Sequence, residues 1–237
     1  MRKKKLLEPA LVTVALLVVT AIFWVTNADL FITSLVPRDH IIAAALPECN
    51  RAWPVGNLFP WNLLYKLAPI PAIILAVSAL VVLLIGFFKT RFSPWRKRAI
   101  FILLLLGLGP GLVINVLLKD QLGRPRPRQV VEFGGEYKFT QCWQPGSGGE
   151  NSSFPSGHAA IAFFLMAPWF ILRDRNRRSA EAFLIAGLLF GTLVGIARIL
   201  QGGHFISDIL WAGGLLYILG SILGLALGLE QKRKANS

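Results

Sequence analysis

The sequence predicts an all-α, polytopic membrane protein with six transmembrane helices and short interfacial helices. Three observations carry this. Of 237 residues, 54% are hydrophobic and 16% charged, with a mean hydropathy of +0.59; an ordinary soluble domain carries roughly 25% charged residues. The apolar residues come in blocks of about 20, the length that crosses a bilayer, rather than in alternation. Lys and Arg crowd the turns between alternate blocks.

The elements follow in order. Arg2, Lys3, Lys4 and Lys5 precede an apolar run from Leu6 to about Thr26. That run exceeds the roughly 7–15 apolar residues of a cleaved signal, so it reads as a retained signal-anchor helix. Residues 27–66 are mixed, with Trp53, Pro54, Phe59, Pro60 and Trp61. Aromatic residues among prolines suit the membrane interface, and short interfacial helices are expected there. Leu67–Phe88 and Ala99–Leu118 are the second and third spans. Gly107, Gly109, Pro110 and Gly111 mark a kink or close approach in the third. A long polar loop, 119–154, leads to a short fourth span, Ser156–Leu172, then Ala180–Ala197 and Ile206–Leu229. The whole chain, 1–237, is expected to form a single integral membrane domain.

Charge tests this order. Six spans put the N-terminus, the 89–98 turn, the 173–179 turn and the C-terminus on one side, with Lys+Arg counts of 4, 5, 4 and 3 out of 25. By the positive-inside rule that side is cytoplasmic. The net charge of +13 is then largely a topology signal and a contact with anionic headgroups. No nucleic-acid partner is implied.

Four polar stretches are thereby collected at the outer boundary: Lys119 to Pro127, Pro155 to His158, Arg198, and His204 with Asp208. Each has an ordinary reading alone. Arg198 resembles a snorkelling residue, His204 with Asp208 a structural hydrogen bond, and Ser156–His158 a helix cap with an incidental histidine. Together they describe chemistry. Lys119, Arg126 and Arg198 are donors suited to phosphate oxygens. Ser156 and Gly157 offer a hydroxyl and free N–H groups at a helix start. His204 and Asp208 are one helical turn apart, so the carboxylate can hold one ring nitrogen and leave the other to attack. His158 is suited to be the general acid.

These segments resemble the signature of the type 2 phosphatidic acid phosphatase superfamily: K-x6-R-P (Lys119, Arg126-Pro127), P-S-G-H (Pro155–His158) and S-R-x5-H-x3-D (Arg198, His204, Asp208). The motif-bearing part is about residues 99–220. One departure is Ala197, where the family usually has Ser, which removes a hydroxyl donor. The resemblance implies a lipid phosphatase with an outer-face active site, His204 as nucleophile forming phosphohistidine, Asp208 orienting it, and His158 as acid. It implies no metal and no cofactor. The insert between spans three and four, with Phe133, Tyr137, Phe139 and Trp143, resembles those of bacterial members acting on periplasmic-face lipids, among them lipid A phosphatases. The expected partners are therefore lipid A phosphates, undecaprenyl pyrophosphate or phosphatidylglycerol phosphate, in a bacterial inner membrane. Arg124 and Arg128 flank the cage and are candidate headgroup contacts. Cys49 and Cys142 both fall in outer loops and are a candidate disulfide. A transporter using the same charges would place them mid-span, and the vanadate-dependent haloperoxidases that share these motifs are soluble.

Overall fold

Residues 2–37, 53–147 and 152–229 are described by the computed structural model. Almost every regular element among them is helical; the one isolated bridge pairs Val130 with Tyr137. The α-helices longer than one turn are α1 (Arg2–Thr26), α2 (Ala28–Ser34), α3 (Trp61–Leu67), α4 (Ile70–Phe88), α5 (Arg96–Leu106), α6 (Gly157–Phe163), α7 (Ala167–Leu172), α8 (Arg177–Leu200) and α9 (Ile206–Ala226).

Among the described residues, five stretches have the length and apolarity of membrane spans: Leu6–Thr26, Trp61–Phe88, Thr90–Lys119, Arg177–Leu200 and Ile206–Ala226. The expected fourth span, Gly157–Leu172, is shorter. It is interrupted at Phe164–Met166 by a tighter 3-10 turn. At 1.5 Å per residue it reaches about 24 Å, less than the roughly 30 Å hydrocarbon core. Ten of its sixteen residues are buried and none is exposed, so it is packed largely within the bundle.

The third span shows what its glycines and proline do. After α5 the chain widens into a π-helical stretch, Gly107–Lys119. Pro110 lacks an N–H and its ring crowds the preceding turn. The Asn115 side-chain amide donates to the Pro110 carbonyl at 2.6 Å within this stretch. Close approach occurs as well: a Cβ on Gly109 would lie 2.9 Å from Leu216 on α9.

α8 is the central strut. Gly187, Gly191 and Gly195 recur every four residues and form one smooth ridge, which receives Met166, Phe163 and Ile209. Small residues allow this approach where no hydrophobic force drives helices together in lipid. α1 lies along α9: Trp211 Nε1 donates to Thr20 Oγ1 at 2.9 Å, and Glu8 pairs with Arg173 at 2.6 Å. α1 is thus built into the bundle through side-chain bonds and not only tethered to it.

Candidate active site

Backbone bonds bring the sequence segments to one end of the bundle. Ser153 N–H donates to the Arg124 carbonyl at 2.8 Å, Ser156 N–H to the Asp208 carbonyl at 3.1 Å, and Arg128 N–H to the Gly202 carbonyl at 3.1 Å. The first pins the 119–127 segment to the 152–158 turn. The second pins that turn to the start of α9. The third pins the first segment to the loop between α8 and α9.

Ser156 is the N-cap of α6, its hydroxyl accepting from Ala159 N–H at 3.3 Å. This leaves the N–H groups of the first turn facing outward from the helix start. Gly157 has a packing reason: a Cβ there would lie 2.7 Å from Asn115 Oδ1 on the π-helical stretch. Gly203 has another: a Cβ would collide with the Arg198 guanidinium, so only glycine lets that side chain lie across the loop.

His204 is 1% exposed. Its Nδ1 lies 2.7 Å from the Ser153 carbonyl and 3.4 Å from Asp208 Oδ2. A carbonyl oxygen only accepts, so Nδ1 carries the proton and Nε2 holds the lone pair. The expected direct Asp208 bond is therefore the longer of two contacts, and the Ser153 carbonyl sets the tautomer. Burial lowers the His204 pKa to about 3; hydrogen bonding toward Asp208 opposes this, and the charges of Arg198 and Arg126 reinforce it. The ring is neutral at pH 7.

Asp208 is fully buried and held from several sides. Its Oδ2 accepts from the Ser153 hydroxyl and from Phe205 N–H, and its Oδ1 pairs with Arg124 Nη1 at 2.5 Å. Arg124 also donates through Nη2 to Asp29 Oδ2 at 2.8 Å, through Nη1 to Ser207 Oγ at 2.8 Å and through Nε to the Thr140 carbonyl at 2.9 Å. Burial works against its charge, but the carboxylates of Asp208 and Asp29 more than offset it and hold the guanidinium above the ordinary arginine range. Arg124 is 1% exposed. The expected headgroup contact at Arg124 is thus corrected: two carboxylates draw the side chain inward, out of reach of a headgroup.

Arg126 and Arg198 behave differently. Burial, then the neighbouring charge of Arg128, holds Arg126 below the ordinary arginine value. Arg198 is 8% exposed, and its Nε is buried with no hydrogen-bond partner among the described residues. Its Nη1 donates to Gln201 Oε1 at 2.5 Å, and Gln201 Nε2 donates to the Gly56 carbonyl at 2.9 Å. A crowded cluster of guanidinium groups with an unfilled donor is a site for an anion. The charges of Arg126 and Arg198 act on both His158 and His204, and that of Lys119 acts on His158. Arg128 is exposed beside them. The described segments thus bring together Lys119, Arg126, Ser156, Gly157, His158, Arg198, His204 and Asp208.

Sequence reasoning missed four contributors. Tyr65 on α3 packs at a tilt against the His158 ring, with centroids 4.7 Å apart, and the Arg198 guanidinium lies 4.8 Å from the centre of the Tyr65 ring. Gln201 orients Arg198. Ser153, two residues before Pro155, supplies both a carbonyl for His204 and a hydroxyl for Asp208. Asp29 grips Arg124. Only Asp29 carried a warning, as a lone acid at the end of an apolar helix.

The insert packs inward. Phe139 meets Phe205 edge-on at 5.2 Å, and Trp143 meets Phe154 at 5.1 Å. Cys142 is a buried free thiol, raised in pKa chiefly by burial. Its expected disulfide partner, Cys49, lies outside the described residues, as does the basic cluster at Lys232–Lys234.

A helical membrane bundle with a histidine–arginine cluster at one end is the class that fold and site define. The chain belongs to the PAP2 superfamily, whose family model matches residues 98–230. It is 38% identical over 154 residues to a lipid A 4'-phosphatase of Francisella tularensis subsp. novicida, covering 62% of this chain and 66% of that protein. It is 34% identical over 133 residues to a lipid A 4'-phosphatase of Rhizobium leguminosarum, covering 55% and 54%. It is 30% identical over 146 residues to phosphatidylglycerophosphatase B of Bacillus subtilis, covering 59% and 63%. The chain spans between about half and two thirds of the length of these relatives. In fold it is similar to the crystal structure of a transmembrane PAP2-type phosphatidylglycerolphosphate phosphatase from Bacillus subtilis. The TM-score is 0.52 at 22% identity, over 95% of this chain and 98% of that one.

Proposed function

We propose that this protein is a membrane lipid phosphatase that removes a phosphate monoester from a lipid headgroup through a phosphohistidine, with lipid A as substrate. The observation that carries the chemistry is the neutral His204 ring, with Nδ1–H held by the Ser153 carbonyl and its Nε2 lone pair left for attack. Nε2 bonds to phosphorus as the phosphorus–oxygen bond to the lipid breaks. The electron pair stays on the leaving oxygen, which takes a proton from His158. Water then gives a proton to His158 and attacks the phosphohistidine, releasing phosphate and restoring His204. Lys119, Arg126, Arg198 and the α6 N–H groups hold the equatorial oxygens, where charge builds in such transfers. Arg128, exposed at the rim, is positioned for a second anionic group of the lipid.

The two lipid A 4'-phosphatases among the relatives favour lipid A, at its 4'-phosphate; the phosphatidylglycerophosphatase favours phosphatidylglycerol phosphate as the second reading. The basic turns support both termini in the cytoplasm and the site on the periplasmic face of the bacterial inner membrane. The test is phosphate release in detergent from lipid A, undecaprenyl pyrophosphate and phosphatidylglycerol phosphate, with products read by mass spectrometry. Lipid A shortened by one phosphate is expected. Turnover of another lipid alone overturns the substrate, and full activity of His204→Ala overturns the mechanism.

A further inference from the structure

Asp29 lies on α2, outside the matched family region of residues 98–230 and 178 residues from its contact Ser207. It is 0% exposed. Every oxygen it has is used on the catalytic scaffold. Oδ1 accepts from Ser207 N–H at 3.0 Å, and Oδ2 accepts from Ser207 Oγ at 2.6 Å and Arg124 Nη2 at 2.8 Å. Arg124 continues to Asp208, and Asp208 stands beside His204 Nδ1.

The charges in this row do not cancel. Asp29 and Asp208 pair with a single guanidinium, Arg124. The other atoms it bonds, Ser207 Oγ and the Thr140 carbonyl, are neutral. Within this buried row the directly bonded carboxylates outnumber the guanidinium by one, while Arg126 and Arg198 act on Asp208 and His204 from the phosphate side, where a substrate's own charge matches them. Burying the surplus carboxylate charge is unfavourable while the ring stays neutral. When Nε2 bonds to phosphorus and Nδ1 keeps its proton, the ring becomes cationic, and the surplus charge is matched. A fixed charge aimed where opposite charge develops costs no reorganisation at the moment of reaction.

We infer that Asp29 is a positioning residue of the catalytic centre, which through Arg124 and Asp208 holds the negative charge that stabilises the cationic phosphohistidine. This rests on the phosphohistidine reading above. It also gives α1–α2 a role in catalysis, since α2 carries Asp29 to the site and α1 is locked to α9 by Thr20 and Trp211.

The test compares full-length Asp29→Asn and Asp29→Glu with wild type, using lipid A and phosphatidylglycerol phosphate as probes. Size-exclusion profile, kcat, KM and the rapid-quench rate of acid-labile phosphoenzyme formation are read for each. Asp29→Asn is expected to lower kcat and phosphoenzyme formation together by about tenfold to a hundredfold, with KM unchanged. Asp29→Glu, which keeps the charge, is expected to recover most of that loss. Wild-type kcat in Asp29→Asn overturns the inference. So does equal impairment of both variants, which would make the contact steric, and so does failure of both to fold, which assigns Asp29 to the fold alone. His204→Ala separates this from the underlying reading. If it stays active, the phosphohistidine fails and this inference with it; if it is inactive while Asp29→Asn is unaffected, only the role of Asp29 fails.

Discussion

Replacing Arg124 by methionine separates a buried clamp from a headgroup contact. The side chain is 1% exposed, lies between Asp29 at 2.8 Å and Asp208 at 2.5 Å, and sits 4.4 Å over the Phe205 ring. Methionine fills similar space but leaves both carboxylates buried without a counter-charge. Removing one partner of a buried ion pair costs about 3–5 kcal/mol. For a chain of this size that corresponds to a fall in melting temperature of about 10 °C. The assay is thermal unfolding in detergent, followed by intrinsic tryptophan fluorescence, beside Arg128→Met. Arg128 is exposed, so its variant is expected to melt with wild type and to raise KM for a doubly phosphorylated lipid. An Arg124→Met variant that melts with wild type and only raises KM would refute the clamp.

Three further outcomes follow from the site. The fork of Arg198 is oriented by Gln201, so Arg198→Lys keeps the charge but loses the geometry; kcat/KM is expected to fall by about 10- to 100-fold, and wild-type kinetics would exclude Arg198 from the phosphate cage. Tyr65→Leu removes the ring that both His158 and Arg198 pack against, and kcat is expected to fall by about tenfold, since misplaced catalytic groups lose rate steeply; steady-state kinetics on one lipid decide it. The His204 pKa lies near 3 in the folded protein, against an ordinary 6.5. The unfolded chain therefore binds a proton below 6.5 that the folded one refuses until about pH 3. Stability from this group is whole above about 6.5 and is lost as pH falls toward 3, about 2 kcal/mol of it by pH 5. Melting temperature against pH should drop more steeply for wild type than for His204→Asn, and parallel curves would contradict the burial of a neutral ring.

Some residues were legible in the sequence and others were not, for physical reasons. The spans were visible because transfer into lipid depends on local composition. The third span's distortion was visible because Pro110 acts on its own turn. The segments carrying Lys119, His158 and His204 were visible because chemistry demands fixed residue types at short spacings. The shortness of the fourth span was partly visible, but its 3-10 turn at Phe164–Met166 comes from packing that composition does not encode. Ser153 was within sight of the histidine turn and passed over, because a backbone carbonyl has no residue type.

By itself, the sequence determined the membrane class, the alternation of basic turns and the three segments that had to meet. It set Arg126 apart by its motif but could not separate Arg124 from Arg128, identical side chains two residues to either side of it. Only the tertiary structure decided which of them is locked to acidic partners, because that depends on carboxylates 95 and 84 residues away in the chain. Arg124 meets both and turns inward; Arg126 and Arg198 crowd one another and stay disposed toward an anion. The same holds for His204, whose tautomer is set by a carbonyl 51 residues distant. Burial and pairing are properties of neighbours in space, and those neighbours exist only once the helices have packed.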